Sequence, residues 1–156
     1  MKFIDLYNSI VGGIIAVMVA FLGPAWFLFA GLALLNIIDW LTGWAKANHN
    51  HEESSEKGLK GIVKKLGYWA IILVAWIVAY CFIYIGGVLH INLDFMTIIG
   101  WFTLAMLLVN EARSILENLV ELNVYVPEIL IKGLAVTEKL INAKSPIDKE
   151  QDDENN

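Results

Sequence analysis

Three long runs without a charged side chain constrain this sequence more than any other feature. Residues 6–38, 66–93 and 95–110 contain no Asp, Glu, Lys or Arg, and together they make up about half of the 156 residues. A water-soluble domain carries charges at about a quarter of its positions and cannot bury such blocks. Apolar runs of this kind are typical of α-helices that cross a bilayer. The sequence therefore predicts an all-α integral membrane protein, and it argues against a soluble enzyme, a disulfide-rich secreted protein and a nucleic-acid-binding protein.

The first run leaves the number of crossings open. As one straight helix it would be about 50 Å long, which is too long for one bilayer core and short for two. Gly23 and Pro24 lie near its middle, and proline interrupts a helix because it lacks an amide donor and clashes with the preceding turn. Residues 14–38 could form one tilted or kinked span, or a short segment at 6–22 could precede a full span at 24–44.

The other two runs predict one span each. We expect spans at 66–87 and 94–110, so that residues 1–110 form a transmembrane domain with three or four transmembrane helices. Residues 111–144 are predicted to form cytoplasmic amphipathic helices. Residues 145–156 are predicted to be a disordered acidic tail, because they are rich in acidic residues and contain no aromatic side chain.

Lysines between the first two long spans set the predicted orientation. The loop 45–65 contains five lysines, and the positive-inside rule places such a loop in the cytoplasm. Two further crossings bring the chain back, so the C-terminus is also expected in the cytoplasm. Four of the lysines are predicted to lie close to anionic lipid headgroups, namely Lys57, Lys60, Lys64 and Lys65.

Residues 110–122 are predicted to form a two-faced helix that continues the last span. At 100° per residue the polar side chains fill an arc of about 160°, and aliphatic side chains fill the remainder. Arg113 and Glu117 are spaced for an ion pair within this helix. The helix could lie flat at the membrane interface, or its polar arc could pack against other helices or line a water-filled opening. Pro127 suits the first position of a following helix.

Small residues repeat every four positions in the first apolar run. Gly12, Ala16 and Ala20 would share one face of a helix and allow another helix to approach closely. This face is the predicted oligomerisation face of a homo-oligomer.

The sequence shows no catalytic or metal-binding arrangement. It has no nucleophile–base pair, no phosphate-binding glycine loop and no paired carboxylates within the apolar runs. The spacing of His49 and His51 is not that of a helical zinc motif, and the single cysteine, Cys81, lies inside an apolar run. We therefore predict a protein that is not an enzyme and that holds no cofactor and no metal.

Three short motifs follow one another between residues 39 and 130. Their residues are, in chain order, Asp39, Thr42, Gly43 and Lys46, then Gly58, Gly61, Lys64 and Lys65, and finally Asn110, Glu111, Ser114, Glu117, Asn118 and Pro127. In order and spacing this set resembles the toxin-secretion and phage-lysis holin family.

The resemblance implies a function without an active site. Members of this family are phage or prophage proteins that accumulate in the host cytoplasmic membrane, oligomerise and open lesions at a set time. Endolysin, or in some hosts a large toxin, then escapes, and the cell lyses. The implied partners are the lipid bilayer, further copies of the chain and an endolysin. A small non-enzymatic transporter or an accessory subunit of a membrane complex would share the same spans and is the alternative.

Overall fold

The computed structural model describes residues 2–51 and 54–143, and these residues form five α-helices and no strand. The helices are α1 (Lys2–Leu22), α2 (Trp26–His49), α3 (Ser55–Leu89), α4 (Thr97–Glu121) and α5 (Glu128–Ala143), with a short 3-10 turn at Asp94–Met96 before α4. Three segments are long and apolar enough to cross a membrane, namely Trp26–His49, Gly58–Leu89 and Asp94–Glu121. The predicted all-α membrane fold is confirmed. The predicted acidic tail at 145–156 lies outside the described residues, and so does the side chain of Lys57.

A sharp break separates α1 from α2. Gly23 has a positive φ of 70°, a conformation that glycine adopts without steric cost, and its amide donates to the carbonyl of Val19 at 2.9 Å. Pro24 follows, and the amide of Trp26 donates to the carbonyl of Gly23 at 3.2 Å as the next helix begins. Residues 14–38 therefore do not form one continuous helix, and a separate apolar helix precedes α2. Among the described helices, α1 contacts α2 alone.

The bundle core lies between α2, α3 and α4. Leu32 of α2 and Leu104 of α4 are almost completely buried, and Phe29 and Ile72 pack against them. The outer surface of the same helices is apolar, as the exposed side chains of Leu34 and Leu73 illustrate. Apolar residues on both the inside and the outside are what a bilayer solvent requires.

A close contact between α3 and α4 depends on a glycine. The indole ring of Trp76 covers Gly100, and a Cβ at this glycine would lie 2.7 Å from the ring. Trp101 meets the same indole edge to face, with 5.1 Å between the ring centroids. Gly100 therefore allows the tryptophan to fill the space between the two helices.

The last span continues without a break into the two-faced segment. α4 extends from Thr97 to Glu121, so residues 110–121 prolong the span and do not form a separate helix lying flat on the membrane. The chain then turns at Asn123, which has a positive φ of 61°, and α5 packs back along α4. Glu138 of α5 lies beside Arg113 of α4, with 3.2 Å between the charged atoms, so the two helices are antiparallel.

Candidate functional site

A buried ionic cluster joins the three helices of the bundle at the end where α2 connects to α3. The predicted loop 45–65 is largely helical, with residues 45–49 in α2 and 55–65 in α3. Lys65 of α3 donates a hydrogen bond to Asp39 of α2 at 2.8 Å and another to the carboxylate of Glu111 of α4. The side chain of Glu111 is 2% exposed, and those of Asp39 and Lys65 are 16% and 15% exposed. Charges removed from water in this way are stable only when they are paired and hydrogen-bonded.

Two asparagines supply further donors to the carboxylates. The amide of Asn118 donates to Asp39 at 3.1 Å and to the hydroxyl of Thr42 at 3.2 Å. In the amide orientation that suits its neighbours, Asn36 donates to Glu111 at 2.8 Å and accepts from the indole of Trp69 at 3.1 Å. Each carboxylate is therefore bonded both to the ammonium group of Lys65 and to a neutral amide. We use the name ionic cluster for Asn36, Asp39, Thr42, Lys65, Trp69, Glu111 and Asn118.

Further polar contacts surround the ionic cluster. Lys46 of α2 pairs with Glu121 of α4 at 2.9 Å, and the amide of Asn110 donates to the hydroxyl of Tyr68 at 2.8 Å. The ammonium group of Lys64 lies 5.6 Å from the centre of the Tyr68 ring, which is a cation–π distance. The Lys46–Glu121 pair connects α2 to α4, and the hydrogen bond between Asn110 and Tyr68 connects α4 to α3.

The geometry favours a structural role for the ionic cluster. Its two carboxylates outnumber its one ammonium group, and their remaining hydrogen bonds come from amides. Among the described residues, no group of three or more His, Cys, Asp or Glu side chains is arranged to hold a metal ion. Since each of the three bundle helices contributes at least one of the charged groups, the cluster can fix the relative positions of these helices.

The structure brings together part of the predicted motif set. Asp39, Thr42, Lys65, Glu111 and Asn118 lie in the ionic cluster. Three other motif residues border it: Lys46, Asn110 and Gly43, where a Cβ would lie 3.6 Å from the Asn118 amide.

The remaining motif residues lie outside the ionic cluster. Gly58, Gly61 and the exposed Lys64 are on the first turns of α3, Ser114 is half-buried on α4, and Pro127 directly precedes α5. Glu117 is exposed and bonded to Arg113 at 3.0 Å, the pair that the spacing predicts. Gly12, Ala16 and Ala20 are all exposed on α1.

One predicted role of Lys65 is wrong. The run of lysines in residues 45–65 predicts that Lys65 lies near lipid headgroups, but its ammonium group is bonded to two carboxylates inside the bundle. Lys60 and Lys64 are exposed and remain accessible from outside. The reason is helical geometry, because Lys65 is turned by about 100° from Lys64 and thus faces α2 and α4.

Sequence reasoning missed Asn36 and Trp69 as members of the cluster. A signal for both was present in the spacing. Asn36 precedes Asp39 by three residues, and Trp69 follows Lys65 by four, so each shares a helix face with a charged member.

A family model and a phage protein that match this chain both indicate the same family. Residues 16–139 match the family model of the bacteriophage holin family, a range that includes all of α2, α3 and α4. A probable holin of Bacillus phage phi105 is 28% identical over 107 residues, which cover 69% of this chain and 71% of the phage protein. The resemblance noted in the sequence is thus confirmed.

Two bacterial proteins are also similar. An uncharacterised protein of Listeria monocytogenes is 36% identical over 117 residues, which cover 75% of this chain and 73% of that protein. An uncharacterised protein of Clostridium perfringens is 36% identical over 121 residues, which cover 74% of this chain and 76% of that protein. No solved structure matches the chain. Since the family match extends over the whole three-helix bundle and its ionic cluster, this chain belongs to the bacteriophage holin family.

Proposed function

We propose that this chain is a holin that accumulates and oligomerises in the bacterial cytoplasmic membrane and opens lesions there. Through these lesions an endolysin, or in some hosts a toxin, leaves the cytoplasm, and timed lysis follows. The observation that carries the proposal is the family match over residues 16–139, which includes the three apolar helices and the ionic cluster. On this proposal the chain acts by assembly and not by catalysis.

The proposed orientation places residues 45–65 and the C-terminus in the cytoplasm. Its support is the five lysines among residues 45–65, together with the antiparallel course of α3 relative to α2 and α4. In this course, the end of α2, the start of α3 and the end of α4 lie at one end of the bundle. The ionic cluster and α5 would then be at the cytoplasmic side of a multi-pass membrane protein.

Oligomerisation is proposed to use the small-residue face of α1. Gly12, Ala16 and Ala20 are exposed, and a Cβ at Gly12 would meet no atom within 4 Å. A second helix can therefore approach this face closely, which is how small residues promote helix association in membranes. The ionic cluster would meanwhile keep the charges of Asp39, Lys65 and Glu111 away from lipid.

Inducible expression in a bacterium tests the proposal. The assay follows culture density and escape of a cytoplasmic reporter enzyme, with and without a co-expressed endolysin. We expect a delayed and abrupt loss of viability with reporter escape, and lysis when endolysin is present. Continued growth, with the protein detected in the membrane fraction, would contradict a holin and would favour an accessory subunit of a membrane complex.

A further inference from the structure

The first turns of α3 form a helical segment that projects beyond the ionic cluster. We use the name basic segment for residues 55–64, which extend about 15 Å past Lys65. Leu59 and Val63 are exposed by 62% and 59%, and the ammonium group of Lys60 is also exposed. Exposed apolar and basic side chains are therefore presented together on the basic segment. Such a surface is typical of a binding element.

A groove at the same end of the bundle has the complementary character. It lies between α4 and α5 and encloses about 450 Å³. We use the name α4–α5 groove for it. Its apolar wall is formed by aliphatic side chains that include Leu116, Val120, Ile131 and Leu134. A helix with a narrow apolar stripe can be held in a groove of this kind.

The rim of the α4–α5 groove is acidic. Glu117, Glu121 and Glu138 line it, together with one cation, Arg113. Arg113 contacts both Glu117 and Glu138, while Lys46 contacts Glu121, so three carboxylates face two cations. The basic segment has the opposite balance, with three lysines and one glutamate. The charges of the two surfaces are thus complementary.

Within one chain the basic segment does not reach the α5 wall of the α4–α5 groove. Among the described helices, α3 and α5 do not pack against each other. We propose that the basic segment of one copy docks into the α4–α5 groove of a second copy. The proposal rests on the proposed holin function, since it specifies how copies assemble. Because the two surfaces differ, the contact is head-to-tail, and such contacts generate closed rings or open arrays. Either product provides the assembly that a lesion requires.

Charge reversal tests the contact with the full chain. One variant carries Lys60→Glu and Lys64→Glu in the basic segment, and the other carries Glu117→Lys and Glu121→Lys in the groove. Self-association is measured by energy transfer between fluorescently labelled C-termini in bacterial membranes. We expect each variant alone to associate at least about tenfold less than wild type, because like charges then face each other. Glu128→Lys and Lys132→Glu, on exposed parts of α5 that do not line the groove, serve as matched controls with unchanged association.

Mixing the two variants gives the decisive result. The reversed, acidic segment of the first variant fits the reversed, basic groove of the second. The unchanged basic segment of the second variant likewise fits the unchanged acidic groove of the first. We therefore expect association to return in the mixture and in a single chain that carries all four reversals. This rescue also shows that both variants fold.

Other outcomes would overturn the proposal. Association that stays low in the mixture, or that never falls in the single variants, excludes the contact. Loss of binding to vesicles with anionic lipid, with self-association unchanged, would instead assign the basic segment to the membrane surface. Reporter escape caused by the wild-type chain is recorded separately. Failure of the holin function is thereby distinguished from failure of this contact.

Discussion

Replacing Lys65 with Met would remove the ammonium group that joins Asp39 and Glu111. The side chain of Glu111 is only 2% exposed, so its charge would stay buried beside a second carboxylate. Removing one partner of a buried ion pair costs about 3–5 kcal/mol of stability. This corresponds to a change of about a hundredfold to several thousandfold in the equilibrium between folded and unfolded chain.

The stability of the Lys65→Met variant can be measured on the full chain in detergent micelles. Titration with a denaturing detergent, followed by tryptophan fluorescence, gives the midpoint and the free energy of unfolding. Lys60→Met is the matched control, because Lys60 is exposed and pairs only with Glu56 of its own helix. Loss of the Lys60 ammonium group should change the free energy of unfolding by no more than about 0.5 kcal/mol.

A neutral cluster provides the complementary measurement. The triple variant Asp39→Asn, Lys65→Met and Glu111→Gln leaves no charge without a partner, and we expect it to recover most of the loss, to within about 2 kcal/mol of wild type. A Lys65→Met variant as stable as the Lys60→Met control would refute the reasoning. The bundle would then depend on its apolar contacts and not on the ionic cluster.

Two further substitutions test other contacts. Gly100→Ala should destabilise the bundle by about 1–3 kcal/mol, because the new methyl group would lie 2.7 Å from the Trp76 ring. Gly67→Ala is the control and should not destabilise it, because a Cβ at Gly67 would meet no atom within 4 Å. The unfolding midpoints of the two variants are compared, and equal midpoints would contradict the close contact. Ala16→Leu should weaken oligomers seen by chemical cross-linking in membranes, since it blocks close approach at the small-residue face, while Val17→Leu on a neighbouring face should leave them intact. Wild-type cross-linking of Ala16→Leu would count against that face.

The spans could be predicted because their evidence is local. A long run without charged residues indicates a helix that can cross a bilayer, and the order of the motifs indicates the family. Even the proximity of Asp39, Lys65 and Glu111 is partly accessible, since antiparallel spans bring the ends of α2 and α4 and the start of α3 to one side.

The rotation of each helix about its axis could not be predicted. Hydropathy is nearly uniform around α3, so no pattern indicates that Lys65 faces inward while Lys64 faces outward. The polar arc of residues 110–122 presented the same difficulty. Its acidic and amide side chains suit water, but Glu111 and Asn118 find donors and acceptors on α2 and α3, which lie far away in the sequence. Contacts of this kind depend on packing between helices, which one sequence does not encode locally.

The ionic cluster also has a consequence for biosynthesis. The ribosome produces Asp39 and Lys65 before Glu111, so two helices with a balanced pair of charges can enter the membrane first. The third helix then brings an additional negative charge, and its docking depends on bonds that Lys65 and Asn36 can already offer. We therefore expect α4 to dock after α2 and α3 are in place, because its buried carboxylate, Glu111, depends on donors that the two earlier helices supply.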